Sequence, residues 1–468
     1  MNSNTGHGAP RPVALMVIGA GPAGLAAAAS ATALGVDVML VDEQARPGGQ
    51  IFRRRQSGSA PPLPGYASRL TEVYDDPSRR GIAYKSAHCL WGLSAEGTVF
   101  VANPDGTKVY APKTLILATG AHEWVLPIRG WTLPGVTTAG GAQALLKVAG
   151  VVAGRRVALA GTGPLLLQVA VQLLESGADI AGIFDVVPPR EQMRAATRVL
   201  GHPPTALHGL RLLATLRRHR VPIRRGWVIR EIHGEECVRG ITAVRLEATG
   251  LQSERPLALD VDAVCLSFGL IPAVELAALR GCALQFDRAL GVWCVQRDDA
   301  MATSIGGVFA VGDGAAIRGA RSAVLEGTLA GISAAKELGR ISDAKAQLMQ
   351  KPLRRALRRL APIRWYNEAI CANRPHLVDV VRDDTIVCRC EDVRATAIRH
   401  AIDEGAQSLH ELRTRCRVGM GNCQGRMCVS TAARMLSRQR NIDLDTLEFP
   451  RQRPPLRPLN LQELCVAD

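Results

Sequence analysis

A chain of 468 residues is too long for one ordinary domain and predicts two or three. Hydrophobic residues at 47% and charged residues at 21% exclude a disordered or fibrous protein, and aromatics at 4% amid abundant Gly, Ala, Val and Leu suit helices packed close on a sheet. The net charge of +15 suits a docking or solubilising surface; no nucleic-acid motif accompanies it, so no nucleic-acid partner is expected.

Residues 1–12 are polar and predict a mobile end. Residues 13–36 carry no charge and imitate a membrane span or signal sequence in length. They are rich in Gly and Ala, interrupted by Pro22, and hold a dinucleotide fingerprint, so they read as buried strand, turn and helix. No transmembrane segment is expected. In Gly19-Ala20-Gly21-Pro22-Ala23-Gly24, the first glycine allows the tight turn, Gly21 lets the backbone approach a pyrophosphate, and Gly24 lets the helix pack on the strand. The helix N-terminus then offers N–H groups to the phosphates. Residues 38–41 read as the next strand. Asp42 and Glu43 follow Gly19 by 23 and 24 positions, where a carboxylate accepts from an adenosine ribose, and Gln44 adjoins them. Pro47-Gly48-Gly49-Gln50 then supplies a flexible turn.

Residues 53–65, rich in Pro, Gly and Ser, read as a loop, and residues 98–109 as a small antiparallel meander. Residues 114–118 form an apolar strand that ends at Ala118, Thr119 and Gly120. A second strand-turn-helix begins at Val157 and carries Gly161 and Gly163, with Asp185 placed 24 positions after Gly161. Leu166 holds its third glycine position and is expected to push the helix off the strand or force another packing. Binding of NAD(P) or another nucleotide there stays open. The segment SFGLIP, with Gly269 and Pro272, follows a later apolar strand. Residues 303–313 end in Gly312-Asp313 at a strand terminus, where a carboxylate can hold a ribitol hydroxyl. Residues 351–365 read as one basic helix with Pro362 near its end; Lys351, Arg354, Arg355, Arg358, Arg359 and Arg364 make either a solvated face or a dock for an acidic partner. Pro450, Pro454, Pro455 and Pro458 mark an extended tail.

This ordered set resembles the two-dinucleotide-binding flavoproteins, the class of thioredoxin reductase, over residues 13–338. The resemblance implies an α/β fold with two Rossmann-like domains: FAD in the first, and an NAD(P)-binding-like domain inserted into it. It also implies that Gly269 and Pro272 close the insert. Thioredoxin reductases carry a redox CxxC at the start of that insert. Here residues 135–143 hold no cysteine, so disulfide chemistry is excluded at that place.

The 12 cysteines, in a long chain with no recognisable signal peptide, point to a reducing compartment and a metal site. Cys388 and Cys390 are followed by Cys423 and Cys428, a C-x-C and C-x4-C pattern within 41 residues. Four thiolates suit an iron–sulfur cluster, while zinc favours C-x2–4-C pairs. Zinc and unligated core cysteines remain the other readings. The Gly-rich residues 419–428 can wrap sulfurs, and Arg389 and Arg426 are expected to offset a cluster's negative charge. Cys416 is treated as a bystander. Residues 386–436 resemble the bacterioferritin-associated-ferredoxin-like [2Fe-2S] domain.

GMGNCQGRMC, GTGPLLL, TTAGGAQALLK and RPPLRPL are together similar to the α subunits of hetero-oligomeric D-hydroxyproline, L-proline and opine dehydrogenases and to the middle subunit of hydrogen cyanide synthase. The resemblance implies a cytoplasmic electron-transferring subunit with FAD and a [2Fe-2S] cluster, peripheral to the inner face of the membrane or free of it. Substrate oxidation is then expected in a β flavoprotein. An FMN at the subunit interface and a small ferredoxin-like γ subunit are both admitted. The expected domains are residues 13–125 with 285–340 (FAD), 126–284 (insert), 341–380 (basic helical linker), 381–437 (cluster) and 438–468 (tail). Two other readings stay open: a reductase that uses NAD(P)H to feed its own cluster, and a nucleotide-binding scaffold. The substrate amine is not legible.

Overall fold

The computed structural model describes residues 9–53, 74–247 and 250–465. Most of the polar start and of the loop read at 53–65 lies outside the described residues.

Strand β1 (Arg11–Ile18) ends in four buried apolar residues and leads through the glycine turn into the helix Pro22–Thr32. The next strands are β2 (Val38–Val41), β3 (Ala83–Lys85), β4 (Cys89–Leu93), β5 (Val99–Asn103) and β6 (Gly106–Leu117). They form one sheet in the order β3-β2-β1-β6-β5-β4, with the strand Val308–Ala310 also on β6. The 12-residue β6 serves two partners on one edge: its first half pairs antiparallel with β5, its last residues parallel with Val308–Ala310. The small residues foreseen by composition have a visible purpose. The helix Ala320–Glu337 crosses Pro22–Thr32 so closely that a Cβ on Gly327 would stand 2.0 Å from the Ala23 carbonyl oxygen.

The chain enters the second domain through Ala121–Glu123 and returns through Leu270–Pro272, two strands paired antiparallel side by side. Its five-stranded parallel sheet runs Ile223–Arg225, Asp179–Asp185, Arg156–Gly161, Ala263–Ser267, Val136–Thr138. Leu166, on the helix Pro164–Glu175, is 1% exposed and joins the core with Val157 and Leu159. The leucine side chain is thus taken into the core of this domain between helix and sheet.

The basic stretch 351–365 is two helices, not one. Asp343–Arg359 holds Pro352, and Ala361–Ile370 begins anew after Leu360. Pro362 sits in the first turn of the second helix, where its missing N–H costs no hydrogen bond. The cluster-bearing unit follows as a short hairpin (Ile386–Cys388, Val393–Arg394) and the helices Ala395–Asp403, Leu409–Cys416 and Val429–Arg440. The tail is docked on the first sheet: Leu456 N–H donates to Trp91 O at 2.9 Å, and Thr107 N–H to Cys465 O at 2.7 Å. Among the described residues, no helix is long and apolar enough to cross a membrane.

Candidate functional site

The first turn is built by crowding. Gly19 has φ +100°, and a Cβ there would meet the Ala118 carbonyl oxygen at 2.4 Å. Gly49, at φ +60°, lies against Gly21, with room for a Cβ only 2.9 Å from the Gly21 Cα. The two glycine segments wall one side of a cavity of about 930 Å³. Gly19, Gly21, Pro22 and Ala23 line it, joined by Asp42, Glu43, Gln44, Gly49 and Gln50. Ala118, Thr119, Gly120, Gly163, Gly269, Gly312 and Asp313 line it from other elements. Gly24, Gly161 and Asp185 do not. Gly24 acts in packing, since a Cβ on it would fall 1.7 Å from the Gly19 carbonyl oxygen.

Asp42 orders the turn: its Oδ2 accepts from Ala20 N–H at 2.5 Å and its Oδ1 from Gln44 N–H at 2.6 Å. Burial nonetheless pushes its pKa up. Glu43 is more exposed and pairs with Arg457 of the tail. At the far strand end, Asp313 Oδ1 accepts from Arg318 and Gly319 N–H, both at 2.8 Å. Fully buried Glu326 fixes Gly312 beside it, accepting from Gly312 N–H at 2.9 Å while pairing with Arg297 at 2.9 Å and Arg318 at 3.2 Å. A cavity of this volume, with two glycine turns and a helix N-terminus in its wall, fits a flavin adenine dinucleotide.

The four late thiols stand as two neighbouring pairs, Cys388 with Cys428 and Cys390 with Cys423. The Cys428 thiol donates to the Cys388 sulfur, and backbone N–H groups of Gly419, Glu391 and Cys390 point at the same atom, so the Cys388 thiol is held down to about 6 against the cost of burial. Cys428 is pushed far up, first by giving that hydrogen bond and then by burial. Among the described residues, no three His, Cys, Asp or Glu groups close on one point. Two pairs are what a two-iron centre needs, two thiolates on each iron. The cradle is tight: a Cβ on Gly421 would lie 2.3 Å from the Cys390 Cβ. The residues fit a [2Fe-2S] cluster.

The cation beside these thiols is Arg413, whose Nη2 donates to Gly419 O at 3.2 Å and which Cys428 stabilises. Arg389 and Arg426, expected near the cluster, also make contacts elsewhere. Arg389 sits over the Trp131 ring at 5.5 Å, and Arg426 pairs with Glu275 at 3.3 Å and lines the cavity. Cys416 donates to Leu412 O at 3.1 Å, inside its own helix.

The connector between the two dinucleotide folds seats the cluster unit through three aromatic rings. His122 Nε2 donates to Arg426 O at 3.1 Å, Trp124 Nε1 to Thr431 Oγ1 at 3.3 Å, and Trp131 Nε1 to Ile386 O at 2.6 Å. Burial depresses the His122 pKa, which keeps the ring a neutral donor near pH 7. Arg434 lies fully buried over Trp124, 4.1 Å from the ring centroid, with its pKa drawn down to about 10 by burial. Arg426 and Met427 line the cavity and lead directly to Cys428, so one cavity runs from the first glycine turn to the cluster loop.

The second turn reaches the same cavity through Thr162, Gly163 and Pro164, with residues 370 and 371 laid against it. Thr162 Oγ1 donates to Ile370 O at 2.9 Å, and Cys371 Sγ stands 3.1 Å from where a Gly163 Cβ would be. Asp185 is enclosed by its own loop, accepting from Val187 N–H at 2.9 Å and Gln192 Nε2 at 2.5 Å. Burial raises its pKa from 3.8 to about 6. A raised folded-state pKa gives stability that is full below 3.8 and lost as the pH rises through about 6, a cost of roughly 2–3 kcal/mol above that window. Asp185→Asn removes the cost. The variant is expected to gain melting temperature over the parent near neutral pH and to gain much less near pH 4; an equal gain at both would count against the assignment.

Residues 13–327 match the family described as pyridine nucleotide-disulphide oxidoreductase, and residues 386–438 match the BFD-like [2Fe-2S] binding domain. One subunit of the opine oxidase of Agrobacterium tumefaciens (strain Ach5) is 34% identical over 96% of this chain and 91% of its own. Hydrogen cyanide synthase subunit HcnB of Pseudomonas protegens is 32% identical over 88% of this chain and 90% of its own. The crystal structure of L-proline dehydrogenase from P. horikoshii shares the fold with a TM-score of 0.72 at 20% identity, over 97% of this chain and 80% of that one. Thioredoxin reductase of T. acidophilum shares it with a TM-score of 0.52 at 19% identity, over 69% of this chain and 98% of that one. The chain belongs to the pyridine nucleotide-disulphide oxidoreductase family and carries a BFD-like [2Fe-2S] unit at its C-terminal end.

Proposed function

We propose that the chain is the electron-relaying subunit of a multi-subunit dehydrogenase that oxidises an amino or imino acid, with that oxidation carried out in a partner β flavoprotein. The observation that supports this reading is the single cavity joining the first glycine turn to Arg426 and Met427, beside Cys428. The turn at Gly19, Gly21 and the helix N-terminus at Pro22 would hold the FAD pyrophosphate, Glu43 the ribose and Asp313 the ribitol. Cys388, Cys390, Cys423 and Cys428 would hold the [2Fe-2S] cluster. Bound there, a flavin handles electrons in pairs or singly and a two-iron cluster takes them singly.

The chain's own residues set the geometry of that exchange. His122 ties the cavity wall to the cluster loop through Arg426 O, and the buried Arg434 locks the helix behind Cys428 onto Trp124. Leu456 and Arg457 of the tail complete the cavity lining, Arg457 at Glu43. Relatives named as subunits of opine oxidase and of hydrogen cyanide synthase support assembly with other chains. The same reading accommodates an FMN at the subunit interface and a small ferredoxin-like third subunit.

Lys351, Arg355, Arg358 and Arg359 stand exposed on the helix Asp343–Arg359, a surface suited to an acidic partner. Reversing charge at Arg355 and Arg358 is expected to weaken co-purification with the β subunit by about tenfold or more, mainly through slower association. Unchanged assembly would reject this dock. The reading as a whole is tested by affinity purification from the native cell, with partner identification and a visible spectrum. A flavoprotein partner and an amine-dependent bleaching of the complex are expected. A chain that purifies alone and steadily oxidises NAD(P)H would favour the self-sufficient reductase instead.

A further inference from the structure

The fold family holds NAD(P) with a second glycine turn and a ribose carboxylate. In this chain those parts are Gly161-Thr162-Gly163 and Asp185, and the residues around them do not fit the ligand. We infer that the strap of residues 366–374 takes the place of the dinucleotide in the second fold, so that this fold is a seat for the cluster unit and takes no nicotinamide nucleotide.

Where a pyrophosphate would rest on the turn, the Ile370 carbonyl oxygen accepts from Thr162 Oγ1 and the Cys371 sulfur lies against Gly163. The carbonyl oxygen at that spot repels an anion, and the thiol fills its volume. Tyr366, Ala369 and Cys371 pack with Val187 and Ala195, over the edge where an adenosine would lie. Asp185 does not reach the cavity, whereas its counterpart Asp42 does. The glycines are explained without a ligand. A Cβ on Gly161, at φ +141°, would stand 1.7 Å from the Ser267 carbonyl oxygen, and Gly163, at φ +97°, makes room for Cys371.

The strap is latched at its far end, residues 373 and 374, from three sides. Arg374 Nη2 pairs with Glu191 of the second fold at 2.6 Å. Asn373 N–H donates to Ala289 O of the first domain at 2.7 Å. From the cluster unit, Arg434 Nε donates to Asn373 Oδ1 at 3.3 Å. Thr162, Gly163 and Pro164 line the large cavity together with Cys371 to Arg374, so a dinucleotide seated on the turn would have to displace Ile370 from Thr162 and Cys371 from Gly163. The closure thus transmits the position of the second fold to the helix that follows Cys428.

Hydrogen exchange of the flavin- and iron-replete full chain tests this, with NADH, NADPH and ADP as separate probes. The expected result is slow exchange of the 370–374 amides, unchanged by any probe, and no protection footprint on the peptides holding Gly161 to Pro164 or Asp185 to Val187. A saturable footprint on either peptide, or faster strap exchange when a probe is added, would overturn the inference. A second arm uses Thr162→Val with Arg374→Ala. Loss of the Thr162 hydrogen bond, of the Arg374 ion pair with Glu191 and of the Arg374 bonds to Ile370 O and Ala372 O should speed strap exchange roughly tenfold or more while the rest of the second fold keeps its protection. Unchanged strap exchange in a folded double variant would also overturn it. The measurements on the parent chain decide the matter alone if that variant fails to fold.

Discussion

Cys428→Ser is expected to yield a chain that keeps its flavin but contains neither iron nor acid-labile sulfide. Cys428 is 0% exposed and lies at the start of the helix Val429–Arg440, among Leu412, Val418 and Ala432. A serine oxygen there is a poor iron ligand, and its hydroxyl stays buried where the thiol met Cys388. In so small a unit the free energy of binding the metal group is largely the free energy of folding, so a loss of several kcal/mol is expected there. Iron and sulfide assays, with flavin absorbance as the internal control, check it. Cys416→Ser is the matched comparison, because that thiol only donates to Leu412 O. If Cys416→Ser lost the iron and Cys428→Ser retained it, the ligand set would be wrong.

Glu326→Gln carries the second large effect. Glu326 is 0% exposed, and its two oxygens answer Arg297, itself 5% exposed in its side chain, and Arg318. The amide leaves Arg297 as a buried charge without a counter-charge, which costs about 3–5 kcal/mol. It also weakens the bond that fixes Gly312 N–H next to Asp313. Denaturant unfolding followed by flavin release should show an earlier midpoint, with flavin lost before the cluster absorbance. A midpoint equal to that of the parent would remove Glu326 from the account of the first site.

The parts legible in the sequence are those whose cause is local. Gly19, Gly24 and Gly49 are glycines because neighbouring backbone leaves no room for a side chain, and such positions announce themselves by spacing. The four cysteines stand out by spacing, but their pairing does not: Cys388 lies beside Cys428 and Cys390 beside Cys423, each pair joining the two halves of the pattern. Leu166 is harder to read: a leucine at a glycine position leaves open how the helix packs, and the structure puts its side chain in the core with Val157 and Leu159.

What escaped the sequence is set by distant contacts. Thr162 meets Ile370 across 208 positions, and His122 meets Arg426 across 304. No periodicity marks either pair. Arg426 looked like a cluster cation because it lies two residues before Cys428, yet it pairs with Glu275 from another domain. Glu326, in a helix rich in Ala and Gly, is one hint, since a carboxylate buried in such a helix must find a counter-charge. The run His122-Glu123-Trp124 just after Gly120 was another, polar and aromatic where a simple connector needs neither.

The most direct test is stepwise anaerobic reduction of the purified chain, read by visible absorbance and by electron paramagnetic resonance. A flavin and a two-iron centre in one polypeptide should take up electrons in the same titration and share them. Protein that contains flavin but no iron or sulfide, or whose two centres refuse to equilibrate, would contradict the relay.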